Sequence, residues 1–121
     1  MKKVFVGDIE KITLKNNNFR KVLFTSKKTQ LVVMSLKPTE NIGMEIHKTH
    51  DQFFRVEQGT GKIVLNKKVY KIKDGTAFVI PVGTEHDIIN TSKKNPLKLY
   101  TIYSPPNHPI GTIHKNKPEY D

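Results

Sequence analysis

The stretch from Glu45 to Gln52 concentrates side chains that can ligate a metal, and a further histidine, His86, follows in a separate segment. Imidazole and carboxylate groups bind divalent transition metals well, and an amide oxygen is a weaker ligand. This stretch therefore predicts a metal site, and its candidate ligands are Glu45, His47, His50, Asp51 and Gln52.

The spacing of these residues narrows the choice. Glu45 and His47 are two positions apart, so on a strand they share a face. Gln52 opens the next apolar run and alternates with Phe54 and Val56. His50 is three positions from His47, so it reaches the same face only through a bulge or turn, and a corner there would leave it exposed. Asp51 has the wrong parity in a regular strand. Whether His50 or Asp51 replaces Gln52 as a ligand stays open.

The rest of the chain predicts strands. No apolar period of 3.6 residues persists over a dozen positions, whereas short apolar or alternating runs recur between turn residues. Leu97, Leu99, Thr101 and Tyr103 share one face of such a run. The tail from Ser104 holds four of the seven prolines and cannot continue a sheet as a central strand. This pattern favours an all-β antiparallel barrel or jelly roll. The runs with strand character are 19–26, 31–36, 44–49, 52–58, 62–65, 69–72, 76–80, 86–91 and 97–103.

Bulk composition limits the function classes. A length of 121 residues predicts one domain. The chain has no cysteine and no apolar leader or span, so we expect a cytoplasmic protein with no membrane partner. The net charge of +10 comes almost wholly from lysine, because Arg20 and Arg55 are the two arginines. Arginine is the residue that binds phosphate and guanine in a forked geometry, so we do not expect nucleic-acid binding.

Two motifs carry a family resemblance. The pattern Gly75-x5-Pro81-x-Gly83-x2-His86-x3-Asn90 resembles the second motif of the cupin superfamily at every fixed position. The first cupin motif is His-x-His, three or four residues, Glu, six residues, Gly. Counting back from Gly59 places Glu45, His47 and Gln52 at its ligand positions. The first histidine is therefore replaced by Glu45 and the glutamate by Gln52, so the set keeps one negative charge.

The resemblance implies an antiparallel double-stranded β-helix, the cupin jelly-roll barrel. It implies one cupin domain over 1–121, with a barrel core at about 19–103 and a Pro-rich extension at 104–121. It also implies a divalent metal (Mn, Fe, Ni, Zn or Co), a small-molecule ligand and a homodimer, in which the segment before Phe19 could add an edge strand. The implied metal ligands are Glu45, His47, Gln52 and His86.

Two segments resemble small single-domain cupins of the mannose-6-phosphate isomerase-like, cupin-2 conserved barrel group. They are MEIHKTHDQFFRVEQGTGKIVLN and LKLYTIYSPPNHPIGTIHK. We therefore expect the tail to pack on the barrel mouth and Tyr103 to reach the pocket, with His108 and His114 as weaker candidates. The implied function is binding of, or isomerase or epimerase chemistry on, a small polar molecule such as a sugar or sugar phosphate, with Glu45 and Tyr103 as catalytic candidates. The alternatives are an iron-dependent dioxygenase and a non-catalytic binding module.

Overall fold

Antiparallel strands dominate the structure, a computed structural model that describes residues 3–119. One short helix, α1 (Ile9–Lys15), precedes the strands. The strands are β1 (Arg20–Thr25), β2 (Gln30–Leu36), β3 (Glu45–Ile46), β4 (Asp51–Gln58), β5 (Thr60–Leu65), β6 (Lys68–Lys73), β7 (Ala77–Ile80), β8 (Glu85–Asn90), β9 (Leu97–Ser104) and β10 (Ile113–His114).

The strands form two sheets that face each other. The larger has the order β10-β1-β2-β9-β4-β7 and the smaller the order β3-β8-β5-β6. Alternating apolar residues of both sheets meet between them, and Phe54, Leu99 and Ile63 are each almost completely buried. This is the predicted all-β jelly roll, and the alternation of residues 52, 54 and 56 is observed as predicted, because all three are buried on β4.

A glycine fixes the corner between β4 and β5. Gly59 has φ +117°, and a Cβ there would come 2.8 Å from the carbonyl oxygen of Pro96. A side chain is thus excluded by both backbone conformation and space. Gly59 is the glycine of the first motif. Its turn fixes the end of β4, the strand that carries Gln52.

Two parts of the strand prediction are wrong. The segment before Phe19 contains α1, not an edge strand; its seven residues are too few to show helical periodicity. Lys98 on β9 holds the end of this helix, since its Nζ donates to the carbonyls of Leu14 and Asn16 at 2.9 and 2.6 Å. The strand predicted for 44–49 is also shorter, because β3 ends at Ile46 and the chain bends at 48–49.

The tail returns to the barrel. Its strand β10 pairs with β1, and residues 107–108 are hydrogen-bonded to Gln30 of β2. Within the described residues, no helix is both long and apolar enough to cross a membrane.

Candidate metal centre

Strand pairing brings a carboxylate and an imidazole together. Glu45 of β3 lies directly opposite His86 of β8, so their side chains project from the same face. His47 follows β3 immediately. Its Nε2 lies 3.1 Å from Oε2 of Glu45, and Nε2 of His86 lies 3.9 Å from the same oxygen. One ligand atom from each of the three residues falls within 4.8 Å of the others.

The loop before β3 is fastened by the neighbour of His86. Asp87 points to the opposite face of β8 and accepts from the Gly43 amide at 2.9 Å and from the Asn41 side chain at 3.0 Å. These bonds fix the approach to Glu45. Asp87 is therefore a positioning residue for the loop that leads to Glu45.

The imidazole of His86 is oriented for ligation. Its Nδ1 lies 2.9 Å from the carbonyl oxygen of Thr84, which can only accept, so Nδ1 carries a proton and donates. In the neutral ring the Nε2 lone pair then faces Glu45. Burial lowers the pKa of His86 below its ordinary value of 6.5 and so favours that neutral form. A backbone acceptor on the second ring nitrogen is typical of metal-binding histidines.

His47 is held through its main chain. Its carbonyl oxygen accepts from the Gly83 amide at 2.8 Å, which ties it to the turn of the second motif. Its Nε2 is buried and has no hydrogen-bond partner in the described structure, despite the 3.1 Å approach to Glu45. A buried nitrogen without a partner is costly. A divalent cation would satisfy this nitrogen, the carboxylate and His86 together, so the donor set fits a metal.

Gln52 supplies a further donor inside the barrel, opposite Tyr103 in the sheet register. It is 3% exposed, and its Nε2 donates to Oγ1 of Thr101 at 3.0 Å on the adjacent strand β9. This bond fixes the amide, and the carbonyl oxygen Oε1 is buried with no hydrogen-bond partner. Gln52 is thus placed where the sequence expects it, inside the barrel with an oxygen available.

A family model for the cupin domain matches residues 32–103, which contain these donors and most of both sheets. The chain belongs to the cupin family. The fold agrees: the structure of BH2720 from Bacillus halodurans superposes with a TM-score of 0.92 at 42% identity, covering 95% of this chain and 91% of that one.

Two curated relatives extend over nearly the whole cupin chain. The uncharacterized protein YrkC of Bacillus subtilis is 47% identical over 95% of this chain. The uncharacterized protein L612 of Acanthamoeba polyphaga mimivirus is 46% identical over 96% of it. The chain spans 64% of the length of YrkC and 74% of L612, so both relatives contain additional sequence.

The expectation that a corner would leave His50 exposed is wrong. The bend at 48–49 turns its ring into the cupin barrel, where it is 4% exposed and lies 4.1 Å from the His47 ring, centroid to centroid. Its Nε2 is buried without a hydrogen-bond partner. Burial lowers the pKa of His50, and the neighbouring His47 lowers it further. His50 is therefore a further donor in the barrel interior, as Gln52 is, and the turn that its spacing requires brings it there.

Asp51 is not placed as a ligand. Its side chain is exposed, and Oδ1 accepts from the Val82 amide at 2.9 Å. This bond fastens the start of β4 to the turn after β7. The parity argument against Asp51 agrees with this position.

Tyr103 reaches the interior, as expected for its face of β9. It is 3% exposed, and its ring centroid lies 5.2 Å from that of His50 and 6.1 Å from that of His47. His108 from the tail approaches it, with Nε2 3.3 Å from the phenol oxygen. His114 lies elsewhere, on β10, where its Nδ1 is 3.0 Å from the Arg20 guanidinium. The sequence offered no signal that separates these two tail histidines.

Proposed function

We propose that this cupin binds a divalent metal through Glu45, His47 and His86, and uses the centre to bind a small oxygen-bearing molecule such as a sugar, a sugar phosphate or a small organic acid. The observation that carries the proposal is the convergence of buried ring nitrogens and one carboxylate within 4.8 Å. A bound divalent metal supplies a Lewis acid that polarises a carbonyl or carboxylate oxygen.

The residues around the proposed metal have different roles. Thr84 orients His86 through Nδ1, and Gly83 anchors His47 through its carbonyl. Glu45 contributes the negative charge of the cluster. Gln52 Oε1 and His50 Nε2 are the next donors for the metal or for a ligand, because both are buried and lack hydrogen-bond partners in the described structure.

The charge balance favours an oxygen anion as the ligand. A divalent cation and one carboxylate leave a single positive charge, and burial keeps His50 and His86 toward their neutral forms. A carboxylate, an enediolate or a phosphate ester would complement this charge. Isomerase or epimerase chemistry needs a base in addition, and here Tyr103 or a released Glu45 would have to serve.

Binding without turnover is the second candidate. In the cluster of described residues that can hold a metal, Glu45 is the one carboxylate. If it is committed to the metal, no second carboxylate of that cluster remains to abstract a proton. This observation favours a ligand-holding module over a carboxylate-based isomerase.

Elemental analysis of purified protein tests the metal. We expect near-stoichiometric divalent metal in the wild type, and His47→Ala to weaken its binding by more than about 100-fold, since loss of an outer partner alone costs about 10- to 100-fold. His114→Ala removes a histidine outside the cluster and is the matched control. Equal metal content in all three proteins, or none in the wild type, would contradict the proposal.

Incubation with candidate ligands then separates the two functions. Metal-loaded protein is mixed with sugar phosphates and small organic acids, and the compounds are recovered and identified. A ligand that stabilises the protein and returns unchanged indicates a binding module. A chemically altered compound, formed by wild type and not by His47→Ala, indicates an enzyme.

A further inference from the structure

One buried side chain holds residues 107–108 of the tail against the barrel. Gln30 of β2 is fully buried, and its Oε1 accepts from the amides of Asn107 and His108 at 3.1 and 3.0 Å. Its Nε2 donates to the His108 carbonyl at 2.7 Å and to Oγ1 of Thr25 at 3.0 Å. Three of these bonds end on the tail main chain, so the position of His108 is built into the fold and does not depend on its side chain.

The locked segment places an imidazole on a buried phenol. Tyr103 stands opposite both Gln52 and Gln30 in the sheet register, which puts it at the end of β9 next to the metal cluster. The ring of His108 meets it edge-on at 5.2 Å between centroids, with Nε2 3.3 Å from the hydroxyl. His108 is partly exposed and Tyr103 buried, so the pair extends from the interior to the rim.

The cluster and this pair form two poles of one site. His50 lies between them, with its ring 4.1 Å from His47 and 5.2 Å from Tyr103, centroid to centroid. One pole carries the metal donors. The other carries a phenol and an imidazole that contact each other, and when Nε2–H of His108 donates to the phenol oxygen, the hydroxyl of Tyr103 can donate to a ligand oxygen. Glu45 keeps 22% and His47 14% of the side-chain surface exposed, so solvent reaches the first pole.

We propose that Tyr103 and His108 form a second binding pole, which receives the far oxygen group of a two-ended ligand whose near oxygen lies at Glu45, His47 and His86. The ligand class is a short dicarboxylate or a hydroxy acid. This inference rests on the proposed function and deepens it, because it assigns a ligand-binding role to a tail histidine and names the chemistry of both ends of the ligand.

Calorimetric titration with two probes tests the second pole. Acetate offers one carboxylate and reaches the metal pole alone, whereas malonate offers two. For metal-loaded Tyr103→Phe, we expect malonate to bind about tenfold more weakly than it binds wild type, the scale of a lost hydrogen bond to a charged group, with the Kd of acetate unchanged. His108→Ala should give the same selective loss, since Gln30 still holds the tail main chain.

The matched controls are Tyr100→Phe, an outward-facing tyrosine of the same strand, and His114→Ala, a histidine of the same tail; neither should change either Kd. If malonate chelates the metal with both carboxylates, Tyr103→Phe will leave its Kd unchanged, which overturns this inference. An equal loss of acetate and malonate affinity overturns it too.

Metal content, measured on every variant, keeps the two proposals distinct. A wild type that takes up no metal overturns the proposed function and this inference with it. If the wild type takes up metal, and Tyr103→Phe and His108→Ala both bind malonate with the wild-type Kd, the second pole alone is overturned.

Discussion

Strands β8 and β9 each carry a buried polar side chain near each of their ends. The hydrogen bonding of these side chains differs between the two ends of the barrel. Asn90 closes β8 and Lys98 lies near the start of β9, at what we term the closed end of the barrel. His86 and Tyr103 lie at the opposite ends of these strands, at the metal-site end.

At the closed end the polar groups are saturated. The side-chain amide of Asn90 donates to the carbonyls of Leu36, Lys37 and Asn95 at 3.1, 3.1 and 2.9 Å, and its Oδ1 accepts from Ser92. Lys98 places its Nζ against three oxygens at 2.6–2.9 Å. Burial lowers the pKa of Lys98, and these bonds offset part of the cost of burying its charge.

At the metal-site end several buried polar atoms are not hydrogen-bonded. His47 Nε2, His50 Nε2 and Gln52 Oε1 are all buried and have no hydrogen-bond partner in the described structure. Saturated polar groups stabilise the fold, whereas unsatisfied ones lower stability until something binds. One barrel thus separates stability and binding at its two ends, although Asn90 and His86 belong to the same motif.

The largest effect is expected at the closed end. Asn90→Ala removes four hydrogen bonds and leaves three carbonyls short of a donor, so we expect the free energy of unfolding to fall by about 3 kcal/mol, measured by chemical denaturation. Metal content of the folded protein should not change. Asn95→Ala is the control: its side chain is exposed and only its main-chain carbonyl contacts Asn90, so the change should stay within about 0.5 kcal/mol. A large loss of metal by Asn90→Ala would break the separation of the two ends.

A smaller effect of opposite sign is expected at the metal-site end. Glu45→Gln replaces a charged group by a neutral amide beside His47 and His86, so the metal-free protein should gain up to about 1 kcal/mol of stability. The same variant should lose metal. Thermal melts with and without a chelator measure both: the variant should melt above metal-free wild type and show no response to the chelator. A variant that melts well below metal-free wild type would show that Glu45 stabilises the fold by itself.

The sequence predicted what depends on local pattern. Alternation placed residues 52, 54 and 56 on one face of β4, and 97, 99, 101 and 103 on one face of β9, as the structure has them. The runs predicted at 62–65 and 69–72 are observed as the paired strands β5 and β6, and Asn66 and Lys67 between them both adopt positive φ. Counting back from Gly59 named Glu45 and His47, which the structure brings together with His86.

Features that depend on contacts between distant parts of the chain could not be predicted from the sequence. The inward turn of His50 needs the bend at 48–49, which is anchored by the hydrogen bond from Gly83 to His47. The approach of His108 to Tyr103 needs the bonds from Gln30, a residue with no local sign of this role. The last turn of helix α1 is held by Lys98 of β9, although Asp8 caps its first turn locally. Each partner lies far along the chain, so no local window contains both halves of the signal.

The smallest expected effect is a pH dependence of metal-free stability at the metal-site end. Burial lowers the pKa of His86 and of His50 below 6.5, so between pH 6.5 and their folded values the unfolded chain binds protons that the folded protein does not. Stability should therefore fall as the pH drops below about 6.5 and be fully present above it. Melts of chelated protein across this range measure the slope. His86→Asn should reduce this slope and leave the part that His50 contributes, whereas His114→Ala should not change it, because His114 lies outside this end. An unchanged slope in His86→Asn would assign the dependence to other groups and remove protonation of His86 as a reason for metal loss in acid.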